Sequence, residues 1–223
     1  LSLGTAMAMA DSWKITLNGR QAHGSQPQHS IDPIVLGSHL VTRLQSVVAR
    51  NVDPQDMAVL TVGTFHAGTK ENIIPATAEL ALNLRTFKDE VRDTVLDGIR
   101  RTVEGEVIAS GAPEAQIEEL YRFPGCENDP EEGERVLEAL RAELGEDNVS
   151  VIPPNSGSED VGVLATAIDV PLVYWVFGGY PQEVLDQDTV YGNHSPHFAP
   201  VADPTLETGL RAALAVVLYR LGG

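Results

Sequence analysis

Apolar and polar residues alternate along several short stretches in the first half of the chain. Trp13, Ile15 and Leu17 alternate with polar neighbours over residues 13–19, and this period of two predicts a half-buried β-strand. Three further stretches carry strand patterns, at residues 57–66, 76–87 and 116–121.

Two longer stretches carry apolar residues at helical spacing. Asp32-Pro33 is typical of a helix N-cap followed by the first helical position, and apolar residues recur every three or four positions from there to about Arg50. A second helix ends near Gly111 and is marked by apolar residues at the same spacing: Val91, Val95, Ile99, Val103 and Val107.

The order of these elements is strand–helix–strand–strand–helix–strand, which predicts a ferredoxin-like (split βαβ) domain over residues 12–122. Both helices of such a domain cover one face of the sheet. In the strand at 76–87 apolar residues alternate with polar ones, so Arg85 is expected on the opposite, open face. There it could bind a carboxylate, or it could pair with Glu79 on the same face of the strand.

The second half of the chain has a different pattern. Helices are predicted at Glu131–Leu144, at Asp160–Ala167 and behind Asp203-Pro204, where the aspartate is expected to act as the cap. Short strands are predicted at Val149–Ile152 and Pro171–Phe177. The second strand is almost entirely apolar, as is typical of strands that are buried on both faces.

Two strands and three helices amount to half of a doubly wound α/β domain. Residues 123–223 are therefore expected to form the C-terminal part of that domain, and residues 1–11 the end of an earlier segment of it. The remainder is expected upstream of Leu1.

The composition narrows the classes of function. Acidic residues outnumber basic ones by 32 to 15, and the net charge of −17 argues against nucleic-acid binding because it repels phosphate backbones. No apolar run approaches the roughly 20 residues that a membrane helix needs. Cys126 is the one cysteine, so an internal disulfide is impossible and a cytoplasmic location is expected. A structural role for Cys126 is favoured over a role as metal ligand or nucleophile.

Two histidines follow the predicted buried strand, in the stretch Asn193-His194-Ser195-Pro196-His197. Open α/β sheets bind ligands beyond the carboxyl ends of their strands, so this is a suitable place for a metal ligand. A catalytic zinc ion needs about three protein ligands and one open position. On this pattern alone, loop histidines with ordinary hydrogen bonds are the favoured interpretation.

Three other side chains are candidates with equally ordinary alternatives. His23 lies in a loop after the first strand, where it could donate to a developing oxyanion or simply face solvent. Asn72 lies in a loop between two strands, which is usually no more than a turn. Ser158 precedes the helix at Asp160–Ala167 and is expected to cap it, although its hydroxyl could instead line a cleft.

Eight motifs, in order along nearly the whole chain, resemble one enzyme family. They are MAMAD at 7–11, GRQAHGSQPQHSIDP at 19–33, LQSVVAR at 44–50, VGTFHAGTKENIIP at 62–75, LRTF at 84–87, SGSEDVGV at 156–163, NHSPHF at 193–198 and ETGL at 207–210. With these motifs the chain resembles the aminoacylase and carboxypeptidase family of dinuclear metal amidohydrolases. It is nearest to the branch that acts on N-acyl amino acids, which includes the hippurate hydrolases.

The resemblance implies that residues 12–122 form a lid and dimerisation domain inserted into a doubly wound α/β zinc-hydrolase domain. His194 would ligate one of two divalent metal ions, which would be zinc, manganese or cobalt. His23 would cross a homodimer interface and help bind the carbonyl oxygen in the partner's active site. Asn72 and Arg85 would contact the substrate, Arg85 through the carboxylate of its amino-acid half.

The resemblance also implies what this sequence lacks. The family's other metal ligands and its general-base glutamate are expected upstream, so the chain by itself is expected to be inactive. The parent protein is expected to hydrolyse the amide bond of N-acyl amino acids or small peptide-like substrates. Val161, where the family often has an aromatic residue, and the extra His197 depart from the pattern. The alternative is a non-catalytic dimerisation or small-molecule-binding module built on the ferredoxin-like domain.

Overall fold

The fold is seen in a computed structural model, which describes residues 1–222. Over that range the strands are β1 (Thr5–Met7), β2 (Met9–Asn18), β3 (Ala22–His23), β4 (Ala58–Ala67), β5 (Ile73–Ile74), β6 (Thr77–Thr86), β7 (Gln116–Phe123) and β8 (Cys126–Glu127). The α-helices are α1 (Pro33–Asn51), α2 (Asp89–Ala109), α3 (Pro130–Leu144), α4 (Val161–Ala167), α5 (Gln182–Leu185) and α6 (Thr205–Leu221). No helix in this part of the chain is both long and apolar enough to cross a membrane.

The chain divides into two compact units. The sheet unit comprises Met7–Cys126 and Asn155–Ile168, and the helical unit comprises Leu1–Ala6, Glu127–Pro154 and the chain from Asp169 onward. Each unit has its own hydrophobic core.

The sheet unit contains a four-stranded antiparallel sheet in the order β4-β6-β2-β7. The predicted ferredoxin-like order of elements is confirmed, and β2 begins four residues before the expected start at Trp13. In the register of the sheet, Ala10 lies opposite Arg85 and Ser12 lies opposite Asn83. This register decides which side chains become neighbours on the open face.

The core of the sheet unit lies between the sheet and helices α1 and α2. Along β6 the residues of the core face are buried, namely Ala78, Leu80, Leu82 and Leu84. Helix α1 begins as predicted, because the Asp32 carboxylate accepts hydrogen bonds from Ile34 N at 2.8 Å and Val35 N at 3.3 Å. The opposite face of β6 therefore carries Arg85, which is half-buried, as the alternation predicted.

The helical unit contains α3, α5 and α6, and its core lies mainly between α3 and α6. The predicted strand at Val149–Ile152 is wrong, and so is the predicted strand at Pro171–Phe177, since neither segment forms a strand ladder. Isolated hydrogen bonds hold them instead: Tyr174 N donates to Asn128 Oδ1 at 2.5 Å, and Ile152 N donates to Leu1 O at 2.9 Å. A strand needs a continuous neighbour, which neither segment finds among residues 1–222.

Burial and helix capping in the second half of the chain differ from the predictions. The apolar segment Pro171–Phe177 is not buried on both faces, since Val176 and Phe177 are 54% and 52% exposed. Helix α6 forms as predicted, but Asp203 does not cap it, because Pro204 occupies the N-cap position without a side-chain hydrogen bond. Ala212 is the buried residue of α6, while the leucines that recur along the helix are exposed, namely Leu206, Leu210, Leu214 and Leu221.

Candidate functional site

The loop after β2 carries His23 and is fixed by short-range pairing. Arg20 and Ile31 form an isolated antiparallel bridge across the base of this loop. Strand β3 lies within this loop and pairs with β5. Next to this pair, Gly24 N donates to Asn72 O at 2.8 Å. A Cβ atom on Gly24 would lie 3.1 Å from that oxygen, which explains why the tightest point of the pairing is a glycine. The structure thus brings two predicted site residues close together, since His23 lies on β3 and Asn72 immediately precedes β5.

The hydrogen bonds of His23 define which ring nitrogen carries the proton. Its side chain is exposed, its Nδ1 accepts from the backbone N–H of Ser25 at 3.2 Å, and the Ser25 hydroxyl lies 2.8 Å from the same nitrogen. A backbone N–H can only donate, so Nδ1 holds its lone pair and the neutral ring is protonated at Nε2. His23 therefore offers an Nε2–H donor, the form that can stabilise a carbonyl oxygen or an oxyanion.

Arg85 lies at the centre of a polar network on the open face of the sheet. Its Nε donates to Asn83 Oδ1 at 2.8 Å, and its Nη1 donates to the hydroxyl of Ser158. Asn83 Nδ2 donates in turn to Asp11 O at 3.2 Å and to the hydroxyl of Tyr121 at 3.1 Å. The network links three neighbouring strands and the segment that carries Ser158.

The two partners of Arg85 are neutral, and the alternative ion pair with Glu79 does not form in the part of the chain that the structure describes. Glu79 instead lies near Lys14, whose pKa is raised by the Glu118 carboxylate and, to a smaller extent, by Glu79. The positive charge of Arg85 is therefore not neutralised by a carboxylate of the described residues. Such a guanidinium can bind an external carboxylate through two parallel hydrogen bonds.

The expected capping role of Ser158 is wrong. Helix α4 begins at Val161, and Asp160 occupies its N-cap position without a side-chain hydrogen bond. The Ser158 hydroxyl contacts Arg85 instead. Sequence reasoning missed this partner, and it also missed Asn83, although its position two residues before Arg85 on one strand places both side chains on the same face.

His194 lies in the loop between α5 and α6 and adopts an uncommon backbone conformation. Its φ is +68°, a left-handed conformation that costs a non-glycine residue roughly 1–2 kcal/mol, and its side chain is exposed. The Tyr180 hydroxyl bridges two backbone groups of this loop, because it donates to Tyr191 O at 2.9 Å and accepts from Ala199 N at 3.0 Å. The ring of His197 packs against the ring of Tyr191 at a centroid distance of 4.9 Å.

The described residues do not complete a metal site. Within residues 1–222 no group of three or more His, Cys, Asp or Glu side chains is arranged to hold a metal ion. Cys126 is buried in the sheet unit, and His194 belongs to the helical unit. A catalytic zinc ion needs about three protein ligands, so His194 is at most one of the ligands required.

The chain is similar to known proteins in sequence and in fold. The sequence profile of the peptidase dimerisation domain matches residues 6–109. A hippurate hydrolase from Campylobacter jejuni is 36% identical over 73% of this chain and 42% of its own length. An N-acetylcysteine deacetylase from Bacillus subtilis is 32% identical over 92% of this chain and 54% of its own length.

A solved structure is similar to this chain over almost its whole length. A protein from methicillin-resistant Staphylococcus aureus, described as an aminohydrolase, superimposes with a TM-score of 0.73 at 26% identity and covers 97% of this chain and 54% of its own. The chain spans about half the length of the relatives that it matches. The chain belongs to the family of amidohydrolases and peptidases that contain the peptidase dimerisation domain.

Proposed function

We propose that this chain is part of a metal-dependent amidohydrolase that cleaves the amide bond of N-acyl amino acids or small peptide-like substrates. Its membership of the family and the names of its relatives support the reaction class. The observation that carries the proposal is the state of Arg85, a half-buried guanidinium with two neutral partners.

Arg85 is suited to the carboxylate of the amino-acid half of such a substrate. A guanidinium has five N–H donors, and its two hydrogen bonds to Asn83 and Ser158 leave three of them for a ligand. Two donors suffice for a forked contact with a carboxylate. Substrates with a free carboxylate next to the scissile amide are therefore favoured over neutral amides.

His23 is proposed to bind the oxygen of the scissile carbonyl. Its Nε2–H would donate to this oxygen as negative charge develops on it, and Asn72, just before the paired strand β5, would contact the same substrate. In the homodimer that we also propose, His23 would act in the active site of the partner subunit.

His194 is proposed as one ligand of a site for two divalent metal ions, zinc, manganese or cobalt. The assignment rests on the motif NHSPHF that the chain shares with the family. The other ligands would come from outside the described residues, since these residues do not complete a site. A cytoplasmic location stays a prediction from the cysteine content.

The proposal is tested with the complete protein supplied with zinc, manganese or cobalt. Release of the free amino acid from a panel of N-acetyl and N-benzoyl amino acids is followed by chromatography, and we expect hydrolysis of at least one class. Failure on the whole panel with all three metals would contradict the proposal and favour the non-catalytic module. Turnover by the 223-residue chain alone would contradict the prediction that this chain is inactive.

A further inference from the structure

We infer that Asn83 and Ser158 are positioning residues that preorganise Arg85 as a carboxylate receptor on the open face of the sheet. The inference rests on the proposed role of Arg85 and adds the groups that hold its side chain in place. An unrestrained arginine loses up to about 2 kcal/mol of conformational entropy when it is ordered by a ligand. Two fixed acceptors within the chain would remove most of that cost before binding.

The orientation of Asn83 follows from obligate donors and acceptors. Its Nδ2 donates to the backbone carbonyl of Asp11, which can only accept, and its Oδ1 accepts from Arg85 Nε, which can only donate. A flipped amide would lose both hydrogen bonds. The hydroxyl of Tyr121 accepts a further bond from Nδ2, so the amide is fixed from two neighbouring strands.

The segment that carries Ser158 is fixed to the start of the sheet. Ala8 N donates to both Asn155 O at 3.1 Å and Gly157 O at 2.8 Å, and Gly157 N donates to Asn155 Oδ1 at 2.7 Å. A Cβ atom on Gly157 would lie 3.0 Å from Asn155 Oδ1, so the turn is tightly packed at this position. The Ser158 hydroxyl is therefore presented to Arg85 by a defined turn.

The chemistry of the two partners matters as much as their position. An amide and a hydroxyl orient the guanidinium without cancelling its charge, whereas a carboxylate in either place would compete with the ligand. Arg92, on the same domain, shows the contrast, since Asp11 neutralises it through a forked contact. The site at Arg85 accordingly selects a carboxylate from the ligand and not from the chain.

The test compares two substrates that differ in the carboxylate alone, N-benzoylglycine and N-benzoylglycinamide, by the release of benzoate from the complete metal-loaded protein. In Asn83→Ala and Ser158→Ala we expect KM for N-benzoylglycine to rise about tenfold, as for one lost charged hydrogen bond, with kcat little changed. The kinetics of the amide should not change. Asn83→Asp should raise the same KM, because it keeps the acceptor but neutralises the charge.

Two matched variants serve as controls. Ser156→Ala changes an exposed serine of the same loop and should behave as wild type, and Ser158→Thr keeps the hydroxyl and should rescue KM. If Arg85→Ala leaves the preference for the carboxylate substrate unchanged, the proposed role of Arg85 is wrong. If Arg85→Ala abolishes the preference while Asn83→Ala and Ser158→Ala preserve it, the positioning inference is wrong and the proposed function stands.

A measurement that needs no turnover completes the test. The Nε–H signal of Arg85 in a ¹H–¹⁵N spectrum is assigned by its loss in Arg85→Lys, and its exchange with solvent is compared between variants. We expect exchange to be at least about tenfold faster in Asn83→Ala, because the donor loses its acceptor. We also expect added N-benzoylglycine to shift this signal in the wild type and not in Asn83→Asp. Equal exchange rates, or equal shifts, would overturn the inference.

Discussion

Two arginines of the sheet unit carry the same charge in opposite circumstances. The Arg92 side chain is 3% exposed and makes a forked contact with Asp11, with Nε and Nη2 donating to the two carboxylate oxygens at 2.8 and 2.6 Å. The Asp11 side chain is fully buried, so each charge depends on the other. Arg85 has only neutral partners. The residue type therefore does not decide whether an arginine stabilises the fold or remains open to a ligand.

The ion pair between Asp11 and Arg92 gives the first prediction. Asp11→Ala leaves a buried guanidinium without its counter-charge and should lower the free energy of unfolding by about 3–5 kcal/mol. Glu118→Ala breaks the exposed ion pair with Lys14, in which the two side chains are 39% and 60% exposed, and should destabilise the protein much less because solvent screens the pair. Urea unfolding followed by circular dichroism measures both. Equal losses in the two variants would show that burial does not set the strength of the first pair.

The two histidines of the loop between α5 and α6 give the second prediction. In the complete protein His194→Ala should lower the bound metal per chain by about half or more, because a site with three or four ligands loses one of them. His197→Ala removes a ring that packs against Tyr191 and should leave the metal content unchanged. Elemental analysis after dialysis measures the metal. An unchanged content in His194→Ala would refute the assignment of this ligand.

Helix α2 shows how close packing constrains individual positions of one element. A Cβ atom on Gly98 would lie 2.6 Å from Val47 Cγ1 of α1, which is closer than atoms can approach. A Cβ atom on Gly105 would meet nothing within 4 Å. Both glycines occupy the interior of α2, so they share the same low helix propensity. Contact with α1 explains the first glycine, and nothing in the structure explains the second.

The third prediction compares these two positions. Gly105→Ala should raise the free energy of unfolding by about 0.5–1 kcal/mol through helix propensity. Gly98→Ala gains the same propensity but must displace Val47, and it should be about 1–3 kcal/mol less stable than Gly105→Ala. Thermal or urea unfolding gives the difference. If both variants were stabilised equally, the two helices would have room to separate without cost.

The sheet unit as a whole has an edge strand at which a second copy of the chain could bind. Strand β4 forms one edge of the sheet, and an edge strand leaves backbone groups open to pairing with another chain. Phe65 on this strand and Ile34 at the start of α1 are 36% and 39% exposed. Ile34 reaches Gly68, just beyond the end of β4. This edge and the beginning of α1 are the surface where we expect a second copy to bind.

The fourth prediction concerns this proposed dimer. The protein should be a dimer by light scattering, and Ile34→Glu should weaken association at least about tenfold, because it buries a charge in the interface. Glutamate is favourable in the first turn of a helix, so α1 should remain folded. Ile108→Glu, at a position of α2 that is 70% exposed, is the matched control and should not affect association. A monomeric wild type, or no effect of Ile34→Glu, would count against the interface.

The sequence by itself determined the elements of the sheet unit and their order. The alternation along β6 and the cap at Asp32 depend on neighbouring residues, and such local signals are complete in the sequence. Local signals did not predict the second half as well. The segment Pro171–Phe177 has the composition of a strand, but strand formation depends on a partner that composition does not specify.

Tertiary structure decided the surroundings of the candidate site residues. The sequence placed Arg85 and Asn83 on one face of β6, but strand register added Tyr121 to their network, and folding brought Ser158 to Arg85 across 73 residues. The contacts of Tyr121 and Ser158 join parts of the chain that are distant in sequence, so they depend on the packing of the whole unit. For His194 the sequence supplied the motif, and the fold showed its left-handed backbone and exposed ring.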